Sequence, residues 1–206
     1  MKNRLIIIGA AGHGRVIAES AQLQGRYQFI EFLDDSYPNE KESLHWPIVG
    51  EIDDWHLFLN QADFIVAINV NKYRNAMSQA ILEEGGSLAT IVHPSAVVSP
   101  NAQIGNGTMI CANATINIGA IIGVANIVNT GASVDHDCTL ANGVHISPGS
   151  RIASQVEIAE NVWVGIGATI NESLAIGENT IIGGGASVIH DAKKDSLYVG
   201  VPAIKK

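Results

Sequence analysis

The segment Asn129-Thr-Gly-Ala-Ser-Val-Asp-His-Asp-Cys138 sets one histidine, His136, between two carboxylates, Asp135 and Asp137. A carboxylate beside an imidazole holds it in one tautomer and raises its basicity. Such a pair suits the removal of a proton from an amine or hydroxyl that attacks a thioester. By itself a histidine of this kind is more often a solvated surface residue, so its surroundings decide. A second cluster lies near the start, Gly9-Ala-Ala-Gly-His-Gly14, after the apolar run Leu5–Ile8. Glycines between a strand and a helix let backbone N–H groups approach a phosphate. The spacing is GxxGxG and not GxGxxG, which disfavours a nicotinamide cofactor. A further pair, Asp34-Asp35, ends the apolar run Phe29–Leu33 and suits recognition of a hydroxyl or a base N–H.

A repeat positions the first cluster. Stepping by six from Val98 to Val188 meets sixteen residues, and every one is Ile, Val or Leu. Helical periodicity drifts off such a register. The residue four after each aliphatic is mostly small or β-branched (Ala102, Thr108, Ala114, Ala120, Ala132, Val144). The pattern predicts short strands and turns, stacked so that coils share one core. Cys138 falls on an inward position and reads as an inert small hydrophobe. The outward positions are irregular and include His, Asp and Asn, unlike the regular arrays of a purely structural β-helix.

This register resembles the hexapeptide-repeat acyltransferases, which form a left-handed parallel β-helix of three hexapeptides per coil. With that coil length, His136 shares a corner column with Ser154, Glu172 and His190, and Pro148, Ile166 and Gly184 form another. His145 lies on the face leading into the second column, with Asn129 one coil earlier. His136 stands at the corner opposite that face. Within one chain the two histidines cannot meet, so a site using both lies between subunits, and a cyclic trimer fits a triangular prism. A metal-dependent hydratase on the same fold needs three converging histidines. His136 and His145 lack a third at suitable spacing, so no metal is expected.

Residues 1–92 read differently. Apolar strands at Leu5–Ile8, Phe29–Leu33 and Phe64–Ile68 alternate with helices from about Arg15 to Gln24 and Tyr73 to Glu84, and Leu88–Val92 would be a last strand. This alternation predicts a Rossmann-like α/β domain with a parallel sheet. The β-helix and tail then occupy residues 93–206. No flexible linker separates the two, so they are expected to pack together.

The formal charge of −8 argues against nucleic acid or an anionic membrane as partner. No apolar run reaches the roughly 18 residues of a membrane span. Two cysteines without a secretory signal point to a reduced cytoplasmic setting. Between residues 93 and 192 Arg151 is the only Lys or Arg, so an anionic cosubstrate would find its donors near Lys193, Lys194, Lys205 and Lys206.

End to end, the motifs GAAGHG, FLDD, AINVN, NTGASVDHDC, GVHISPG, GIGA, GGGAS and GVPA resemble the nucleotide-sugar acetyltransferases of the bacillosamine and sialic-acid O-acetyltransferase group. The resemblance implies an acetyl-CoA-dependent homotrimer that acetylates the 4-amino group of a UDP-linked amino-dideoxy sugar. The alternative is O-acetylation of sialic acid or a related sugar. It also implies His136 as general base with Asp137 modulating it. Acetyl-CoA contacts are implied for Asn129, His145, Ile166 and Gly184. UDP-sugar contacts are implied for Ala11, Gly12, His13, Asp34, Asp35 and Asn69. The chain has Ala11 where serine is common, Asn69 where glycine is common, and Asp137 where the group has Glu.

Overall fold

The computed structural model describes residues 2–206. The first unit begins with β1 (Arg4–Ile8), α1 (Gly12–Gln24) and β2 (Phe29–Leu33). A short hairpin of β3 (Glu42–Ser43) and β4 (Trp46–Gly50) follows, then a 3-10 helix at Ile52–Phe58. β5 (Asp63–Val66), α2 (Asn71–Glu83) and β6 (Ser87–Leu88) complete it. The sheet order is β3-β4-β2-β1-β5-β6, parallel throughout except for the β3–β4 pair. The chain runs outward from β1 on one side and returns to β5 on the other. The carboxyl ends of β1, β2 and β5 therefore open one crevice, where ligands of such sheets bind. This is the Rossmann-like domain the alternation predicts, and both helices start two or three residues earlier than the sequence suggests. Strand β4 was not anticipated, because Trp46-Pro-Ile-Val-Gly50 carries a proline and little apolar run.

From Ile91 the chain winds into a left-handed parallel β-helix. Rung strands pair at an interval of 18 residues, as in Ile127↔His145 and His145↔Trp163. One face runs from Ile91–Val92 to Leu197–Val199, the second from Val97–Val98 to Ser187–Val188, and the third from Gln103–Ile104 to Ala175–Ile176. The sixfold aliphatics fill the core, and all from Ile110 to Val188 are no more than 2% exposed. Burial at about 25 cal/mol per Å² of apolar surface makes this continuous stack a large source of stability. Polar residues that enter it are satisfied. Thr108 donates to Gly123 O, Asn126 to Ala141 O, and Ser150 to Gly165 O. Cys138 is fully buried as expected.

Corners obey a second sixfold rule that hydrophobicity does not reveal. Every sixth residue from Gly107 to Gly185 is left-handed, with φ between 57° and 75°. Half are glycine, and Asn or Asp fills several others, the residue types that tolerate this region best.

The expected strand Leu88–Val92 is corrected. Leu88 ends the first sheet in β6, and Ile91–Val92 is already the first rung, paired with Met109–Ile110. Only Ala89 and Thr90 lie between them, so the chain passes from one unit to the other with no flexible linker. The two units share a core. Ile91, Met109 and Cys111 on the β-helix pack with Ile17, Ala18 and Ala21 of α1 and with Leu5 and Ile7 of β1.

Candidate functional site

His136 occupies the corner between the second and third faces and is exposed. Its Nδ1 lies 2.8 Å from Asp137 Oδ2. Its backbone N–H donates to Asp135 Oδ1 at 2.8 Å, and the same oxygen accepts from Asn117 Nδ2 at 2.7 Å. The hydrogen bond to Asp137 raises the imidazole pKa, and the charges of Asp135 and Asp137 add to it. The amide of Asn117 holds Asp135 below the usual carboxylate range. Asp137 is one of the left-handed corner residues, at φ 59°. That conformation brings its carboxylate back onto the preceding ring. With Nδ1 engaged, Nε2 is the nitrogen left to take a proton.

His145 sits on the first face and points away from the prism core, as its register predicts. Yet it is only 7% exposed, because the Rossmann-like domain covers it. Asn129 Nδ2 lies 3.1 Å from its Nε2, and Trp163 stacks parallel to it with ring centroids 5.9 Å apart. Burial lowers its pKa to about 3, helped by Arg74 and His13. His13, in the first turn of α1, is lowered to about 4 by burial and then by Arg74. His13 Nε2 and His145 Nδ1 are buried with no partner among the described residues. Both rings are therefore neutral, with a free nitrogen each for a polar ligand group. The resemblance implies His13 for the sugar nucleotide and His145 for acetyl-CoA; the fold brings them into one electrostatic neighbourhood.

Arg74 on α2 was missed by the sequence reading. It is 1% exposed. It donates to Ala125 O and Gly143 O across the domain boundary at 2.8 Å each, to Ile68 O at 3.0 Å, and to Asn71 Oδ1 at 2.9 Å. Asn71 in turn donates to Val162 O at 3.0 Å. The Asn71-x-x-Arg74 pair, one helical turn apart, was the available signal. It fixes the turn carrying exposed Asn69 against the β-helix.

At the crevice, a cavity of about 240 Å³ is lined by Ala10, Ala11, Arg15, Asp34, Ser36 and Ser43, among others. Burial works against ionisation of Asp34, but the amides of Ala10 and Ser36 outweigh it and keep it ionised. Asp34 Oδ2 accepts from Ala10 N at 2.7 Å, and Oδ1 from Ser36 N at 3.0 Å. The carboxylate thus shapes the glycine loop. Asp35 Oδ1 accepts from Ile52 N at 3.2 Å. Helix α1 has no side-chain cap and no acidic residue in its first turn. Its exposed Ala11 and Gly12 leave N–H donors open to an anion, with Arg15 beside them. Gly14 permits the tight turn, since a Cβ there would meet Gly9 O at 2.0 Å.

Ile166 is 64% exposed at the corner between the first and second faces. Gly184 follows one coil later, where a Cβ would approach Ile166 Cγ2 to 3.2 Å. This corner adjoins the face of His145 and Asn129. His136 stays on the opposite corner of the same chain.

A Rossmann-like head docked on a hexapeptide β-helix defines a two-domain class of protein, and comparison with known proteins narrows it. Residues 4–81 match the PglD N-terminal domain family. The acetyltransferase domain of PglB from Neisseria gonorrhoeae is 35% identical, with all of both chains covered and a TM-score of 0.96; its complex with acetyl coenzyme A gives 0.94. A variant of perosamine N-acetyltransferase from Caulobacter crescentus, in complex with CoA and GDP-perosamine, is 34% identical over 98% of this chain and 96% of that one, with a TM-score of 0.93. UDP-N-acetylbacillosamine N-acetyltransferase of Bacillus subtilis is 32% identical over 115 residues, 54% of this chain. The match spans about half that curated relative, 52% of its length. The chain belongs to the hexapeptide-repeat nucleotide-sugar acetyltransferase family.

Proposed function

We propose that this chain is an acetyl-CoA-dependent N-acetyltransferase acting on the 4-amino group of a UDP-linked amino-dideoxy sugar. The observation that carries the reading is the exposed His136–Asp137 pair, with Nδ1 held at 2.8 Å and Nε2 free. The relatives whose names specify bacillosamine and perosamine N-acetylation support the reaction class. The uncapped start of α1, with Arg15, supports a diphosphate at the crevice.

In this reading the sugar amine attacks the thioester carbonyl carbon directly. His136 Nε2 takes a proton from the attacking nitrogen, with Asp137 stabilising the imidazolium. The tetrahedral adduct collapses, the carbon–sulfur bond breaks, and the proton passes from His136 to the departing thiolate. No acyl-enzyme forms, in keeping with buried Cys138, whose thiol burial pushes to a higher pKa. Asn129, His145, Ile166 and Gly184 line the acetyl-CoA side. Ala11, Gly12, His13, Asp34, Asp35 and Asn69 serve the sugar nucleotide, with Asp34 acting through the loop it holds. Because His136 and His145 occupy opposite parts of the prism, the site joins two protomers of a cytoplasmic homotrimer.

A panel of UDP- and GDP-linked amino sugars, assayed for coenzyme A release beside sialic acid, tests the reading. Release with a UDP-4-amino sugar is expected. No turnover with any amine, or turnover with the hydroxyl acceptor alone, contradicts it.

A further inference from the structure

The corner one coil before that of His136 is Asn117-Ile118-Gly119. It stacks in register on Asp135-His136-Asp137, because Thr115–Ile116 pairs with Ser133–Val134. Gly119 has φ 75°, and a Cβ built on it would lie 2.3 Å from Asp137 Oδ1. The carboxylate therefore fills space that exists only because residue 119 lacks a side chain. A left-handed corner favours glycine but does not by itself demand it. Asn113, Ala125 and Gln155 hold the equivalent left-handed corners with side chains, at φ 57° to 61°. The other end of the same corner is also engaged, since Asn117 grips Asp135, which accepts the His136 N–H.

We propose that Gly119 is a positioning residue for the proton-abstracting pair, leaving the space in which Asp137 keeps Oδ2 on His136 Nδ1. A methyl group at 119 pushes Oδ1 away, and the carboxylate rotates off the ring. The clash falls on the end of a mobile side chain, so the coil itself survives. This inference rests on the reading of His136 as base. Among the described residues the charges acting on His136 are those of Asp135 and Asp137; the adjoining corners Asn117-Ile118-Gly119 and Ala153-Ser154-Gln155 carry none, and Arg151 on the next rung of the second face lines one cavity with Asp135. Without the Asp137 contact the imidazole loses the largest of the causes that raise its pKa.

The test compares Gly119→Ala, Asp137→Ala and the double variant by the pH dependence of kcat/KM, with thermal melts to follow folding. Gly119→Ala is expected to lower kcat/KM about 10-fold and to move the acid limb to lower pH, with the KM for acetyl-CoA unchanged. Added to Asp137→Ala it is expected to cost nothing more, because the carboxylate is already gone. Gly25→Ala is the control for strain, at φ 68° with nothing within 4 Å of the new methyl; it should keep both rate and limb. A wild-type rate and limb in Gly119→Ala while Asp137→Ala moves both overturns the proposal. So do additive losses in the double variant, or a Gly25→Ala effect of equal size. If Asp137→Ala and His136→Ala leave rate and limb unmoved, the base reading fails instead, and this inference falls with it.

Discussion

The molecule treats its histidines in two opposite ways. At the open corner His136 is ringed by carboxylates and its pKa rises. Where the Rossmann-like domain meets the β-helix, His145 and His13 lose water, face a guanidinium, and fall to about 3 and 4. One region raises the basicity of an imidazole, as the proposed reaction needs; the other keeps its rings neutral. The same side chain acquires two uses through burial and the sign of its neighbours. The contrast also divides the two environments, because His136 is exposed on the single chain and would be covered only in the proposed trimer, whereas the buried rings are set by one chain alone.

The strongest blow to this contrast is His136→Ala. Loss of the base is expected to lower kcat/KM by about 10²–10⁴-fold with acetyl-CoA binding retained. A rate near wild type would place the base elsewhere. Next is Arg74→Met, which strips hydrogen bonds from buried carbonyls on both domains and is expected to cost about 2–4 kcal/mol of stability. The pKa values of His13 and His145 should rise, since the guanidinium that helps depress them is gone. Denaturant melts and histidine NMR titrations measure both.

Acid stability sharpens the comparison. The folded pKa of His145 lies below its unfolded value of 6.5. The unfolded chain therefore binds more protons between about pH 6.5 and pH 3, and stability falls as pH drops through that window. His145→Gln should flatten this fall, by about 3 kcal/mol at pH 4.5. The raised pKa of His136 carries the opposite sign. Any contribution it makes is present below its unfolded pKa and fades as pH rises through the folded one. A melt series whose acid slope ignores His145→Gln would contradict the buried neutral assignment. The smallest expected effect is that of Asp34→Ala. Freeing the glycine loop should raise the KM for the sugar nucleotide several-fold, about 1 kcal/mol, and leave the KM for acetyl-CoA alone. Equal changes in both would mean that Asp34 supports the whole fold.

Much of this architecture is legible in the residues. The sixfold aliphatics dictate the prism because a single period aligns every inward side chain, and the adjacency of Asp137 to His136 foreshadows the contact between them. The burial of His145 is not legible, since register shows only that it points out of the prism and not that another domain covers it. Arg74 hides for a similar reason. A lone arginine on an amphipathic helix reads as solvated until the carbonyls it meets, Ala125 and Gly143, are brought to it from about 50 to 70 residues away. The break between Leu88 and Ile91 is hidden too, because both strands are apolar and only their partners differ.

The claim that one chain's imidazole serves its neighbour's thioester can be tested by complementation. His136→Ala removes the base, and Ile166→Asp sets a negative charge on the opposite, exposed corner where anionic acetyl-CoA would lie. Each homotrimer alone should be nearly inactive. Co-expressed in equal amounts, the two chains should assemble mixed trimers in which about a quarter of the sites combine an intact base with an intact corner, with activity recovered in proportion. Mixed trimers no more active than either parent would contradict a site built across the subunit boundary.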